Sequence, residues 1–321
     1  NFGHQRIGEI EGTFAFVVED TIENKLYLTR DRLGIKPLFY TRFNSQEKNP
    51  IFAFASELGS LIKTIKKEFR ISDQFLSEYL WFGSNCGNNT IFEDVFSVPP
   101  GTTICISGND RFEINRWFDV KNLYKDCKKK NSSFFKKLKN AVNRQTVSER
   151  PLAIFLSSGV DSTLIASLLN KENRQKINTI TAVFDSGNTN EAKIAKYHSK
   201  KLGIKHKSVN INSLSVESSI RRLLHSYGEP FGDPASIPLM NMCDYLNRNK
   251  INVVLQGDGG DELFAGYKRY QFLYSKVYLL LKIFKFPFLR IVFDKLNPRL
   301  KRIVSLSKEP YDEMSALLLT E

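Results

Sequence analysis

Two hydropathy regimes divide the chain. Up to about residue 119, apolar runs of five or six residues alternate with polar turns. Residues 13–18 and 26–30 bracket Glu23-Asn24-Lys25 as a hairpin, 38–43 and 51–55 bracket Asn44–Asn49, and 102–106 and 111–114 bracket Ser107-Gly108-Asn109-Asp110. Ser72 stands where it would cap a helix over 73–82. Residues 121–131 are polar and lysine-rich, a linker signal. The period then changes. Phe134, Phe135, Leu138, Ala141 and Val142 fall on one face of a helix over 132–146. Strands and helices alternate after it: strand 152–156, helix 162–170, strand 178–184, helix 190–202, strand 206–210, helices 215–226 and 236–249, strand 252–256. The pattern predicts a strand-rich domain over 1–119, a linker over 120–131, and a parallel, doubly wound α/β domain over 132–321.

Composition narrows this only slightly. A chain of 321 residues with 41% hydrophobic and 25% charged positions has ample core for one large or two ordinary domains. The net charge of +13 raises the question of a polyanionic partner. Lys, Asn, Ile and Phe are abundant throughout, however, so the charge reads as compositional bias and no nucleic acid partner is expected. The runs Lys128–Lys130 and Lys200-Lys201 read as solvated faces. Cys86, Cys105, Cys127 and Cys243 have no C-x-x-C spacing, which points to neither zinc nor a disulfide framework and suits a reducing cytoplasm. His4, His198, His206 and His225 show no metal-ligand spacing. Residues 277–293 are apolar but carry Lys282, Lys285, Pro287 and Arg290. A bilayer span needs about 20 mostly apolar residues, so this stretch predicts two amphipathic helices bent at Pro287, with no transmembrane segment.

The chemistry is concentrated in two loops. Ala153–Leu156 is a buried-strand run that breaks into Ser157-Ser158-Gly159-Val160-Asp161-Ser162-Thr163 before a helix begins. Small residues at a helix entry leave free backbone N–H groups and a dipole favourable to an anion. The loop lacks G-x-x-x-x-G-K-[ST], which excludes the P-loop of kinases and GTPases. The second loop follows the strand Asn252–Gln256 and reads Gly257-Asp258-Gly259-Gly260-Asp261-Glu262. Three carboxylates among three glycines suit a strand end that approaches a nucleotide and holds Mg²⁺ through oxygens. The alternative for each loop is a strand–turn–helix with an Asp cap and no ligand.

The first loop resembles the Ser-Gly-Gly-x-Asp-Ser pyrophosphate loop of ATP pyrophosphatases, with Ser158 in place of the first glycine. Together, the two loops resemble those of the glutamine-dependent asparagine synthetase family. Three further segments agree in order: Gly12–Phe16 through Arg30–Leu38 and Val98–Gly101 with Arg116-Trp117, both like the family's glutaminase domain, and Glu229–Ser236, like the stretch before its second acidic loop.

The resemblance implies a partial class II glutamine amidotransferase, an αββα sandwich of N-terminal-nucleophile type, followed by the ATP-pyrophosphatase domain. It implies a ligase that amidates L-aspartate through β-aspartyl-AMP, using ATP, Mg²⁺ and ammonia from L-glutamine, and it admits a homodimer. The implied nucleotide contacts are Leu156, Ser157, Ser158, Gly159, Asp161, Ser162, Ala182, Val183, Gln256 and Gly257. Asp161 and Asp261 would be Mg²⁺ ligands, and Asp258 would support the acyl-adenylate step. The family's glutaminase nucleophile is an N-terminal cysteine. None of the four cysteines stands at a chain start, and the family's sequence extends beyond the equivalent of Glu321, so a fragment of a longer protein is expected. Competing expectations are relatives that form β-lactams, cyclise peptides or amidate sugars, a tRNA-modifying ATP pyrophosphatase, and a nucleotide-binding remnant without activity.

Overall fold

The computed structural model describes residues 4–44, 50–65, 67–107, 111–120, 122, 133–172, 177–184, 189–211 and 216–267. The expected bent helix pair over 277–293, most of the linker, Cys127 and the Lys128–Lys130 run lie outside these residues.

The first half is built from antiparallel strands. β1 (Ala15–Asp20) and β2 (Lys25–Arg30) form the expected hairpin, in register Ala15↔Arg30 to Asp20↔Lys25. β3 (Phe39–Asn44) pairs with β4 (Pro50–Ala55), and a three-residue strand, β5 (Val95–Ser97), adds to the other edge of β3. β6 (Thr102–Ser107) and β7 (Phe112–Arg116) complete a second sheet ordered β1-β2-β6-β7. The two sheets face one another. Leu28, Leu38, Val98, Ile104 and Ile106 are buried between them, with Tyr40 and Phe52 packed at the side. On the outer face of β3 and β4, Leu58 and Leu61 of helix α1 (Leu58–Thr64) are buried with Ile65 and Val95. Helix α2 (Asp73–Phe82) starts where Ser72 predicted: the Ser72 hydroxyl accepts the Phe75 N–H at 3.2 Å, a cap worth about 1 kcal/mol. It stops at Gly83, which takes the left-handed conformation at φ 72°.

The charged segment Arg30–Leu38 is a structural clasp. Asp31 is buried, and its carboxylate accepts the backbone N–H groups of Phe14, Leu33, Ile35 and Lys36. The Arg30 guanidinium donates to the carbonyls of Lys36, Val98 and Gly34 and to the Ser97 hydroxyl. A buried charge is tolerated only when so fully bonded. This pair ties the turn after β2 to the entry of β6.

The second half is α/β. Helix α3 (Phe134–Arg144) leads into β8 (Leu152–Phe155), α4 (Val160–Glu172), β9 (Asn178–Phe184), α5 (Thr189–Leu202), β10 (Lys205–Ile211), α6 (Val216–Tyr227), α7 (Ser236–Arg248), β11 (Val253–Leu255) and α8 (Gly260–Phe264). The strands are parallel in the order β10-β9-β8-β11. One face is covered by α3, α4 and α5 through Val142, Ile154, Leu168, Leu169 and Ala195. The other is covered by α7 through Met242 and Leu246 on Ala153, Ile180 and Val209. Helices on both faces make the sheet doubly wound, as the alternation predicts.

One expectation about the core is corrected. Phe134 and Phe135 do not belong to the buried face of α3: they are 54% and 53% exposed, while Leu138 and Val142 pack inward. Phe134 instead meets Phe264 of α8 edge-on, with ring centroids 5.5 Å apart. Among the described residues, no helix is long and apolar enough to cross a membrane.

Candidate functional site

The sheet order sets the site. β8 has β9 on one side and β11 on the other, so the chain reverses its direction of winding between β8 and β11. In open α/β sheets the crevice outside the carboxyl ends of strands at such a reversal is where ligands bind. Both loops singled out from the sequence leave the sheet there. The first follows β8 and the second follows β11, and the strands pair from Val253↔Leu152 to Leu255↔Ile154.

The first loop is organised by its hydroxyls. Leu156 is buried, its N–H bonded to the Ile180 carbonyl at 2.9 Å, and its carbonyl accepts the Thr181 hydroxyl. Ser162, also buried, accepts the Ser157 N–H at 3.1 Å and lies 2.8 Å from the Ser157 hydroxyl. The Ser157 hydroxyl in turn accepts the Gly159 N–H at 3.0 Å. Thr163 donates to the Gly159 carbonyl at 2.8 Å. The loop is therefore folded by its own side chains. Helix α4 starts at Val160, two residues earlier than the apolar pattern predicts, which places Asp161 in its first turn. Ser158 and Gly159 are exposed at the loop tip and, with Val160, Thr163 and Leu164, line a groove that His198 of α5 closes. A second cavity, lined by Ile154, Asn170, Ile177 and Lys205 among others, lies towards the amino ends of β9 and β10.

The second loop is shaped by glycines that lie against the first. A methyl group on Gly257 would stand 2.9 Å from both Asp161 Cβ and the Ser162 nitrogen, and one on Gly260 would stand 2.5 Å from Asp161 Oδ2. Only residues without a side chain allow the Asp161 carboxylate this close. Gly259 adopts φ 85° and caps α8, and Gly266 leaves no room for a side chain beside the Asp261 carboxylate. Asp258 accepts a hydrogen bond from the Gln256 amide. Its carboxyl is pushed above the usual carboxylate range, first by partial burial and then by the negative charges of Glu262 and Asp233. Glu262 accepts the Tyr267 hydroxyl at 2.9 Å.

Of the residues singled out from the sequence, Leu156, Ser157, Ser158, Gly159, Asp161 and Ser162 share the first loop and helix entry, and Gln256, Gly257, Asp258 and Asp261 share the second. Ala182 and Val183 sit near the carboxyl end of β9, paired with Val209 and Asn210 of β10. Three contributors were not foreseen: Thr181 beneath the first loop, Asp233 facing Asp258 electrostatically, and Glu229, described below. A hydroxyl inside an apolar strand was the available signal for Thr181.

Comparison with known proteins identifies the family. The family model described as asparagine synthase matches residues 134–309, more than half of the chain, and one described as glutamine amidotransferase domain matches residues 1–118. An asparagine synthetase [glutamine-hydrolyzing] 1 of Bacillus subtilis is 29% identical over 84% of this chain and 42% of its own. A putative asparagine synthetase [glutamine-hydrolyzing] 2 of Methanocaldococcus jannaschii is 30% identical over 92% of this chain and 56% of its own. The protein called amidase chry2 in Gibberella zeae is 25% identical over 84% of this chain and 42% of its own. The chain thus spans about half the length of the curated relatives it matches.

Proposed function

This chain belongs to the asparagine synthase family, and we propose that it supplies the ATP-handling site of a ligase that amidates L-aspartate. The observation that supports this most is the packing of Asp161 against Gly257 at its Cβ and Gly260 at its carboxylate, which brings a hydroxyl-lined loop and a carboxylate-bearing loop to one crevice.

In the reaction proposed, a carboxylate oxygen of aspartate attacks the α-phosphorus of ATP, and the bond to the bridging oxygen of pyrophosphate breaks. Ammonia then attacks the acyl carbon and AMP leaves. Oxide is not a usable leaving group at a carboxylate, whereas AMP is, so one hard step becomes two easier ones. The first loop, Ser157, Ser158 and Gly159, would receive the pyrophosphate at its exposed tip, with the helix entry at Asp161 and Ser162 beside it. Leu156, Ala182, Val183, Gln256 and Gly257 would border the adenosine. Asp258 would act at the acyl-adenylate; it follows directly on the nucleotide-bordering pair Gln256-Gly257.

Among the described residues, no three His, Cys, Asp or Glu side chains form a metal cage of their own. One or two carboxylates completed by phosphate oxygens is the donor set by which Mg²⁺ is held with a nucleotide, and Asp161 and Asp261 suit it. The ion would neutralise charge on the phosphates.

The first half is proposed to be part of an αββα glutamine amidotransferase delivering ammonia to this site, a role compatible with its facing sheets and the helix α1 outside them. Aspartate-dependent exchange of pyrophosphate into ATP by the full-length protein tests the proposal. Exchange that requires a different carboxylate would keep the site and change the acceptor. Mg-ATP binding with no exchange for any carboxylate would refute the ligase reading.

A further inference from the structure

Between α6 and α7 the chain crosses to the first half of the molecule and returns to the acidic loop. Gly228, at φ 80°, ends α6 with its N–H on the Leu224 carbonyl at 2.9 Å. A methyl group there would stand 2.8 Å from the Gly59 nitrogen and 3.0 Å from Leu58 Cβ, so α6 lies directly on α1 of the first half. Four residues later, Gly232 donates its N–H to the Gly83 carbonyl at 2.7 Å and has no room for a side chain against the same group. Between these two glycines, the half-buried Glu229 carboxyl accepts the backbone N–H of Ile91 at 3.1 Å. The segment then turns at Asp233, whose carboxylate accepts the Ala235 N–H and whose carbonyl accepts both the N–H and the hydroxyl of Ser236, the first residue of α7. Asp233 is one of the charges that act on Asp258.

We propose that Gly228–Ser236 is a strap that docks the ATP-handling half on the first half, and that Glu229 is its positioning residue, on which delivery of ammonia between the halves depends. The proposal rests on the function proposed above for its catalytic consequence, and on geometry alone for the dock. Glu229 is the only side chain among the strap's described hydrogen bonds that reaches the first half; the other ties are the Gly232 N–H on the Gly83 carbonyl and the close packing of Gly228 on Gly59 and Leu58. Burial pushes its carboxyl up to about 7 against the opposing pull of the Ile91 N–H. A neutral acceptor of the same shape is therefore expected to serve in its place.

Amide hydrogen exchange on the chain tests the dock. Glu229→Ala should speed exchange at the Ile91 amide about 10-fold or more while amides in the sheet core, such as Val98, keep the parent rate, and Glu229→Gln should stay within about 2-fold of the parent. Gly232→Ala should loosen Ile91 in the same way. In the full-length protein, Glu229→Ala should lower glutamine-driven product formation about 10-fold relative to the ammonium-driven reaction, with Glu229→Gln restoring the ratio. Unchanged exchange at Ile91 in Glu229→Ala overturns the dock. Changed exchange with equal loss from both nitrogen sources, with no loss from either, or with no rescue by Gln overturns the positioning role. If the parent forms no aspartate-dependent product, the proposed function fails instead, and the Ile91 measurement still decides the dock.

Discussion

The two loops at the carboxyl ends of β8 and β11 are shaped by opposite means. The loop after β8 is held by side chains: Ser157 and Ser162 bond each other and the backbone, and Thr163 bonds the Gly159 carbonyl. The loop after β11 is held by the absence of side chains, with Gly257 and Gly260 pressed on Asp161 and Gly259 in a left-handed turn. A hydroxyl-built loop suits a fixed anion, because its donors are aimed in advance. A glycine-built loop suits close approach of backbone to a reacting group, with carboxylates beside it for a cation or a developing charge. Binding by the first loop is thus expected to separate from the chemistry at Asp258 in the second.

That separation is most exposed at Asp258. Asp258→Ala in the full-length protein should leave ATP affinity within a few-fold and depress aspartate-dependent pyrophosphate exchange about 10²-fold or more. Exchange at the parent rate would remove Asp258 from the chemistry. Because its carboxyl is raised partly by the charge of Glu262, the ionised form is lost at a higher pH than for an ordinary aspartate as acidity increases. Glu262→Gln should therefore move the acid limb of exchange to lower pH, and a shift the other way would contradict this electrostatic account.

Asp161→Asn should act on binding instead, weakening Mg-ATP by roughly 30-fold, the scale of a charge-assisted contact of about 2 kcal/mol. Gly260→Ala should weaken binding in the same direction, by about 10-fold, since the added methyl must displace the Asp161 carboxylate. Calorimetry that finds both variants at parental affinity would remove the Asp161 carboxylate from Mg-ATP binding. Ser162→Ala removes a buried acceptor for the Ser157 N–H and should cost about 1–2 kcal/mol of stability, read from thermal unfolding. Ser158→Gly should do least. Its side chain is exposed, so ATP affinity is expected to change by less than about 3-fold; a larger change would mean that the Ser158 hydroxyl itself binds the anion.

Most of this frame was legible in the sequence because it rests on local pattern. Strands β8 and β11 of the second half are apolar runs bounded by polar turns, and Ser72 announced α2 through its hydroxyl. What was illegible depended on distant partners. Helix α1 is short and mixes Ser60, Lys63 and Thr64 with the two leucines that it buries, and β5 is three residues long, so neither repeats its period often enough to stand out. Phe134 and Phe135 matched the helical face of α3, yet the sheet is covered by Leu138 and Val142 one turn later. In the site, the motifs located both loops, but no spacing could reveal that Gly260 would touch Asp161, that Asp233 would face Asp258, or that Glu229 would reach Ile91. Those contacts arise from the order β10-β9-β8-β11 and from the packing of α6 on α1.

The central claim is that both loops serve one nucleotide and one cation. A double-mutant cycle in Mg-ATP affinity, using Asp161→Asn, Asp261→Asn and the pair together, measures it directly. If the two carboxylates share a cation, each single variant weakens binding and the pair loses less than the sum, with a coupling of about 1 kcal/mol or more. Losses that add within about 0.3 kcal/mol, or an Asp261→Asn variant that binds Mg-ATP as the parent does, would contradict a shared site.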